Sequence, residues 1–124
     1  MIKKGTLELI NNTPLLVLDK IIADKVIYAK ADYLQPGGSV KDRAAYQLVK
    51  DAYERGELKK GQPVVEMTSG NMGAGMAVVC KQFGNPFYAV MSEGNSIERR
   101  KALKALGAEI ILTKQVDGTM GMVT

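Results

Sequence analysis

The chain predicts an α/β fold, a parallel four-stranded sheet with helices on both faces. Three observations carry this. Short β-branched, apolar runs recur at regular distance, segments of helical period lie between them, and glycines stand where those helices should stop. Strand and helix in alternation give parallel strands joined by right-handed crossovers.

The strand runs are VIYAKA from Val26, PVVEM from Pro63, PFYAVM from Pro86 and EIILT from Glu109. Each is short enough for a strand and, by its composition, too apolar to be half exposed. In the first helical segment Ala44, Ala45, Leu48, Val49 and Ala52 fall on one face, and Gly56 is placed to end it. Met72, Met76, Val79, Cys80 and Phe83 repeat at four and three residues, with Gly84 as the stop. Leu103 and Leu106 line a third helix that Gly107 closes. Residues 1–25 read as an entering arm, 26–113 as the α/β domain, and 114–124 as a glycine-rich end without periodicity. An α/β sheet ending in such a segment is expected to be the first part of a larger unit.

Composition narrows the chemistry. Over 124 residues, 46% apolar and 24% charged is ordinary for a globular chain with one sizeable core. With no histidine, Ser-His-Asp and Cys-His catalysis and histidine-ligated metals are excluded, and one cysteine allows neither an internal disulfide nor a thiolate cage, so no metal site is expected. The start lacks an apolar signal core and no eighteen apolar residues run together, so a cytoplasmic protein without membrane contact is expected. A net charge of +4 suits anionic ligands but is too small to argue for nucleic acid.

Ligands of open α/β sheets bind beyond the carboxyl ends of the strands, where three turns stand out. The first, Gln35 to Arg43, has Ser39 and Asp42 in capping-box spacing and puts Lys41 in the first turn of a helix. The positive end of the helix disfavours a cation there, which favours the neutral amine that attacks carbonyls. A plain solvated lysine is the structural alternative. The second turn, Glu66 to Gly75, combines Gly70, Gly73 and Gly75 with Thr68, Ser69 and Asn71 at the start of a helix. That composition suits a small anion such as a carboxylate or phosphate, or equally a helix cap with close packing. The same glycines give G-x-x-G-x-G, the reverse of the dinucleotide fingerprint, with Glu93 beyond the next strand. This dinucleotide-binding reading leaves the lysine turn without a role. In the third turn Asn95 and Glu98 are placed to cap a helix bearing Arg99, Arg100, Lys101 and Lys104. No aromatic residue is interleaved for stacking bases, so a solvated polar face is expected.

NNTPLLVL from Asn11, YLQPGGSVKDRAAY from Tyr33, ERGELKKGQPVVEMTSGNMGAG from Glu54 and ERRKALKALGAEI from Glu98 together resemble the cysteine synthase and cystathionine β-synthase family. Its members have the tryptophan synthase β-like fold of pyridoxal phosphate enzymes, and the resemblance covers the N-terminal part of that fold. It implies pyridoxal 5'-phosphate as cofactor, Lys41 as the Schiff-base lysine that also moves the substrate α-proton, and Asn71 as the partner of the cofactor's ring oxygen. Thr68, Ser69, Gly70, Asn71 and Met72 match the loop that receives the substrate carboxylate. The implied reaction is β-replacement on O-acetylserine or a related amino acid by sulfide or a thiol, in a homodimer. Met72 stands where the family usually has threonine and Met67 where it has proline, which leaves the amino acid and the nucleophile open. Family members are over twice as long. Their second half carries the phosphate-cradling loop, which Gly118-Thr119-Met120-Gly121 matches only superficially. The chain alone is therefore expected to be inactive, and a silent domain that docks to a relative or a complementary half is the alternative.

Overall fold

The computed structural model describes residues 2–68, 70–117 and 120. Asn11 and Asn12 adopt positive φ (72° and 52°), a conformation asparagine tolerates better than most residues, and turn the chain into strand β1, Leu15–Leu18. Strand β2, Ile27–Lys30, folds back on it antiparallel, with Leu15 opposite Lys30 and Leu18 opposite Ile27. Asp24 supplies the left-handed residue of the connection (φ 56°).

After a short 3-10 turn, Asp32–Leu34, comes helix α1, Lys41–Glu54, which Gly56 terminates at φ 72°. Strand β3, Val64–Met67, leads to α2, Asn71–Phe83, which closes on Gly84 in the left-handed conformation. Strand β4, Phe87–Ser92, α3, Ile97–Ala105, and β5, Glu109–Thr113, complete the order, with a 3-10 turn at Gln115–Asp117.

The parallel sheet has three strands in the order β3-β4-β5, with Val64 beside Phe87 and Tyr88 beside Glu109. The fourth predicted strand is a strand, yet it belongs to the separate antiparallel pair. The run from Val26 pairs with the LLVL run just before it in sequence, a local partner needing only a short return, whereas a parallel partner needs a long crossover.

The core gathers on one face of the sheet. Phe87, Ala89 and Met91 of β4 meet Met76, Val79 and Cys80 of α2, Ala45 and Val49 of α1 and Leu103 of α3. The expectation that every strand is too apolar to be half exposed holds for β4 and fails at the edges. Val65 and Met67 of β3 and Ile111 of β5 project from the other face and are exposed. On α1 the inward positions are Asp42, Ala45 and Val49, while Leu48 and Ala44 are exposed.

A polar cluster holds the loop between α1 and β3. Asn85, buried, receives the Tyr53 hydroxyl at 2.6 Å and donates to the carbonyls of Lys59 and Gln62, both at 2.8 Å, fastening the α1–β3 connection to the end of α2. Cys80 is fully buried and its thiol is pushed up to about 11 by burial. Because the thiolate is the reactive species, iodoacetamide at neutral pH should leave native Cys80 unmodified and label it only in denaturant. Prompt labelling of the native chain would show that the inner face of α2 is open.

Candidate functional site

The lysine turn is built backward from α1. Gly38 takes φ 84° and its N–H donates to the Gln35 carbonyl at 2.8 Å, a tight turn that the Gln35 side-chain amide extends by donating to the Ser39 carbonyl at 3.1 Å. Ser39 Oγ accepts the Lys41 N–H at 3.1 Å, so Lys41 opens α1 with its side chain exposed. The expected reciprocal capping box does not form. Asp42 folds its carboxylate back onto the Gly37 N–H instead, where Oδ2 accepts the bond and Oδ1 stays buried without a partner. Burial holds the Asp42 carboxyl above the usual carboxylate range, against the opposing pull of the Gly37 and Asp42 amides.

The next residue anchors the turn to the N-terminal arm. Arg43 donates to Asp32 at 2.7 Å, to Thr13 Oγ1 at 3.1 Å and to Asn11 Oδ1 at 2.8 Å. The Arg43 guanidinium, with the Thr13 hydroxyl, holds Asp32 below the usual carboxylate range. This cluster had no signature in periodicity or motif, and Asp42 showed in the sequence only as the capping-box partner of Ser39, without sign of its burial.

The second turn meets the first through α2. Thr68 is buried, its N–H bonded to the Val90 carbonyl at 3.1 Å, and its Oγ1 accepts the N–H groups of Gly73 at 3.0 Å and Gly70 at 3.4 Å. Asn71, the first residue of α2, is exposed, and Gly70 is half-buried. Met72 packs against the core, and Ser69 lies outside the described residues, as does most of the segment 118–121. Gly75 brings the helices together. A Cβ there would stand 3.1 Å from the Lys41 carbonyl oxygen and 3.2 Å from Asp42 Cα, so α1 and α2 start side by side at backbone contact. A cleft of about 140 Å³ beside this junction is lined by Gly70, Asn71, Ala74, Arg99, Ala102 and Leu103.

In the third turn Ser96, not Asn95, caps α3, with its Oγ accepting the Arg99 N–H at 3.4 Å. Asn95 turns inward to donate to the Ser92 carbonyl at 3.2 Å. The cations of α3 are not one uniform face. Arg100 bonds the Glu93 and Asn95 carbonyls and so fixes the turn, while Lys101 and Lys104 are exposed.

An exposed primary amine and an exposed carboxamide are thus presented at two adjoining helix starts, a pair that suits the carbonyl and oxygen substituents of a small ring. A family model described as "Pyridoxal-phosphate dependent enzyme" matches residues 6–123. The chain belongs to this family. Pyridoxal phosphate is the cofactor of the family, as the sequence resemblance implied. Curated relatives include cysteine synthase B of Campylobacter jejuni subsp. jejuni, 41% identical over 94% of this chain and 38% of that protein. The cysteine synthase of Aquifex aeolicus is 40% identical over 98% of this chain and 38% of that protein. Among solved structures, O-ureido-L-serine synthase superposes with a TM-score of 0.93 at 38% identity, over 99% of this chain and 39% of that one. A hydrogen sulfide-producing enzyme of Fusobacterium nucleatum gives 0.92 at 34% identity, over 99% and 40%. The chain therefore spans about two fifths of the length of these relatives. No helix among the described residues is long and apolar enough to cross a membrane.

Proposed function

We propose that this chain is the cofactor-attaching part of a cysteine synthase-type enzyme, with pyridoxal phosphate bound through the Lys41 amine. The observation that supports the reading is the junction at Gly75, where the start of α1 with the exposed Lys41 and the first turns of α2 after Asn71 lie side by side in a chain about 40% identical to cysteine synthases. The pyridoxal ring, when bound, supplies the electron sink for replacing a substituent at the β-carbon of an amino acid. Lys41 holds the ring and then takes and returns the α-proton at Nζ. The Asn71 carboxamide donates to the ring oxygen. Thr68, Ser69 and Gly70, with the start of α2, receive the substrate carboxylate.

Met67 and Met72 flank this turn without a polar donor, and Met72 is spent on core packing. By the resemblance the substrate would be O-acetylserine or a related β-substituted amino acid, with sulfide or a thiol as nucleophile in a cytoplasmic homodimer, and the two methionines are where this chain's choice of amino acid and nucleophile would differ from its relatives'. Leu15, Val17 and Tyr28 on the β1–β2 pair are more than half exposed, which favours association with a second half or another copy, since large apolar patches drive association.

Mixing the chain with pyridoxal phosphate, reducing with borohydride and mapping the peptides should place the label at Lys41 ahead of the other lysines. Labelling spread evenly over the lysines would remove Lys41 from its role.

A further inference from the structure

We propose that Asp42 is the positioning residue of Lys41: its buried carboxylate, clasped on the Gly37 N–H, sets the turn that presents the lysine beside the Asn71 loop. The proposal rests on the reading of Lys41 as the attachment point.

Asp42 is the only fully buried carboxylate among the described residues, and it directly follows the exposed Lys41. Only Oδ2 has a hydrogen-bond partner, the Gly37 N–H. Oδ1 is not solvated and not paired, and it lies where a Gly37 side chain would start, 2.5 Å from a Cβ placed there. The carboxylate therefore occupies space that only a glycine at position 37 leaves open. A buried acceptor with no partner is rare in native structures and marks a place where geometry outweighs satisfaction.

The geometry it enforces is specific. From one side, α2 passes so close at Gly75 that a Cβ there would stand 3.1 Å from the Lys41 carbonyl oxygen and 3.2 Å from Asp42 Cα. From the other, the Asp42 carboxylate draws Gly37 against the first turn of α1, and Ser39 Oγ takes the Lys41 N–H. Lys41 is left with its side-chain rotations and almost no freedom of the backbone. Arg43, two residues after Lys41, is tied to the arm, so Asp42 and Arg43 anchor the start of α1 to different elements. Catalytic groups depend steeply on such placement, because a shift of about 1 Å costs about a hundredfold.

Charge is the competing role for Asp42, since an anion beside Lys41 would act on the amine directly. Asp42→Asn separates the two, keeping the shape and an acceptor for Gly37 while removing the charge. Asp42→Ala removes both, and Gly37→Ala expels the carboxylate while leaving the aspartate in place. The 124-residue chain is to be read in two ways. Amide hydrogen exchange without any cofactor reports the clasp: Gly37 should be protected in the wild type and in Asp42→Asn, and exchange faster in Asp42→Ala. Borohydride trapping with pyridoxal phosphate reports the consequence: the Lys41 share of label should fall about tenfold in Asp42→Ala and Gly37→Ala and recover in Asp42→Asn. Circular dichroism identifies any variant that fails to fold, and if Asp42→Ala does, Gly37→Ala decides. Equal protection of Gly37 in Asp42→Ala, or a Lys41 share unchanged in Gly37→Ala, would overturn the positioning role while leaving Lys41 as the attachment point. Loss of the share in Asp42→Asn with Gly37 still protected would assign the effect to charge and overturn it as well. A wild-type chain with no preference for Lys41 would instead overturn the function reading, and the positioning role with it.

Discussion

Replacing Met91 by alanine should lower the unfolding free energy by about 2–5 kcal/mol. Met91 is fully buried next to the last residue of β4 and belongs to the cluster that joins the sheet to all three helices. The loss combines the transfer free energy of the missing atoms with the cavity they leave, and the site is poorly placed to collapse. Met91 lies beside Leu112 of β5, and its own backbone is held in the parallel ladder. Against the roughly 5–15 kcal/mol that a domain of ordinary stability possesses, this is a large fraction. Met91→Leu keeps the volume and should cost less than about 1.5 kcal/mol. Urea denaturation should show the midpoint falling for alanine and nearly unchanged for leucine, with the same slope for both. An alanine variant as stable as the wild type would mean that the core does not centre on β4.

The parallel strands were the most legible part of the chain, and β5 occupies the EIILT run residue for residue. All three helix stops fell on glycines that adopt positive φ, because a left-handed residue after a helix has a steric signature that composition displays. What escaped was the partner of each element. The run at Val26 has the composition of a buried strand whether it pairs parallel or antiparallel, and only the return of the chain at Asp24 decides. The exposed faces of β3 and β5 escaped for a related reason, since a run of apolar residues states what a strand would bury and not whether anything covers it. Within the candidate site, turn chemistry and resemblance pointed to Lys41, Thr68 and Asn71, and the fold sets Lys41 and Asn71 at adjoining helix starts. Asp42 was assigned to a capping box by its spacing and in fact serves Gly37. Spacing fixes which residues are within reach, and burial selects among them.

The junction between the sheet and the candidate carboxylate loop should be the site's most sensitive point, and Gly73→Ala tests it. Helix propensity alone favours alanine by about 1 kcal/mol inside α2. The added Cβ, however, would stand 2.6 Å from Thr68 Cγ2 and 2.8 Å from Thr68 Oγ1, with Leu103 Cδ2 at 3.3 Å on the far side. Thr68 has little room to give way. Its N–H is bonded to β4, and turning its side chain would withdraw Oγ1 from the Gly73 and Gly70 N–H groups. Overpacking of this kind costs about 1–3 kcal/mol and loss of the hydroxyl cap about 1 more, so the net change should be a destabilisation of about 1–3 kcal/mol despite the better helix former. Thr68→Ser deletes the nearer clashing atom and keeps the acceptor. In the Gly73→Ala background it should therefore recover part of the loss, giving a positive coupling in a double-mutant cycle by urea denaturation. A Gly73→Ala chain as stable as the wild type, or one that serine does not rescue, would show that Thr68 is not wedged beneath the first turn of α2. The hydroxyl would then not be held as the cap of that helix.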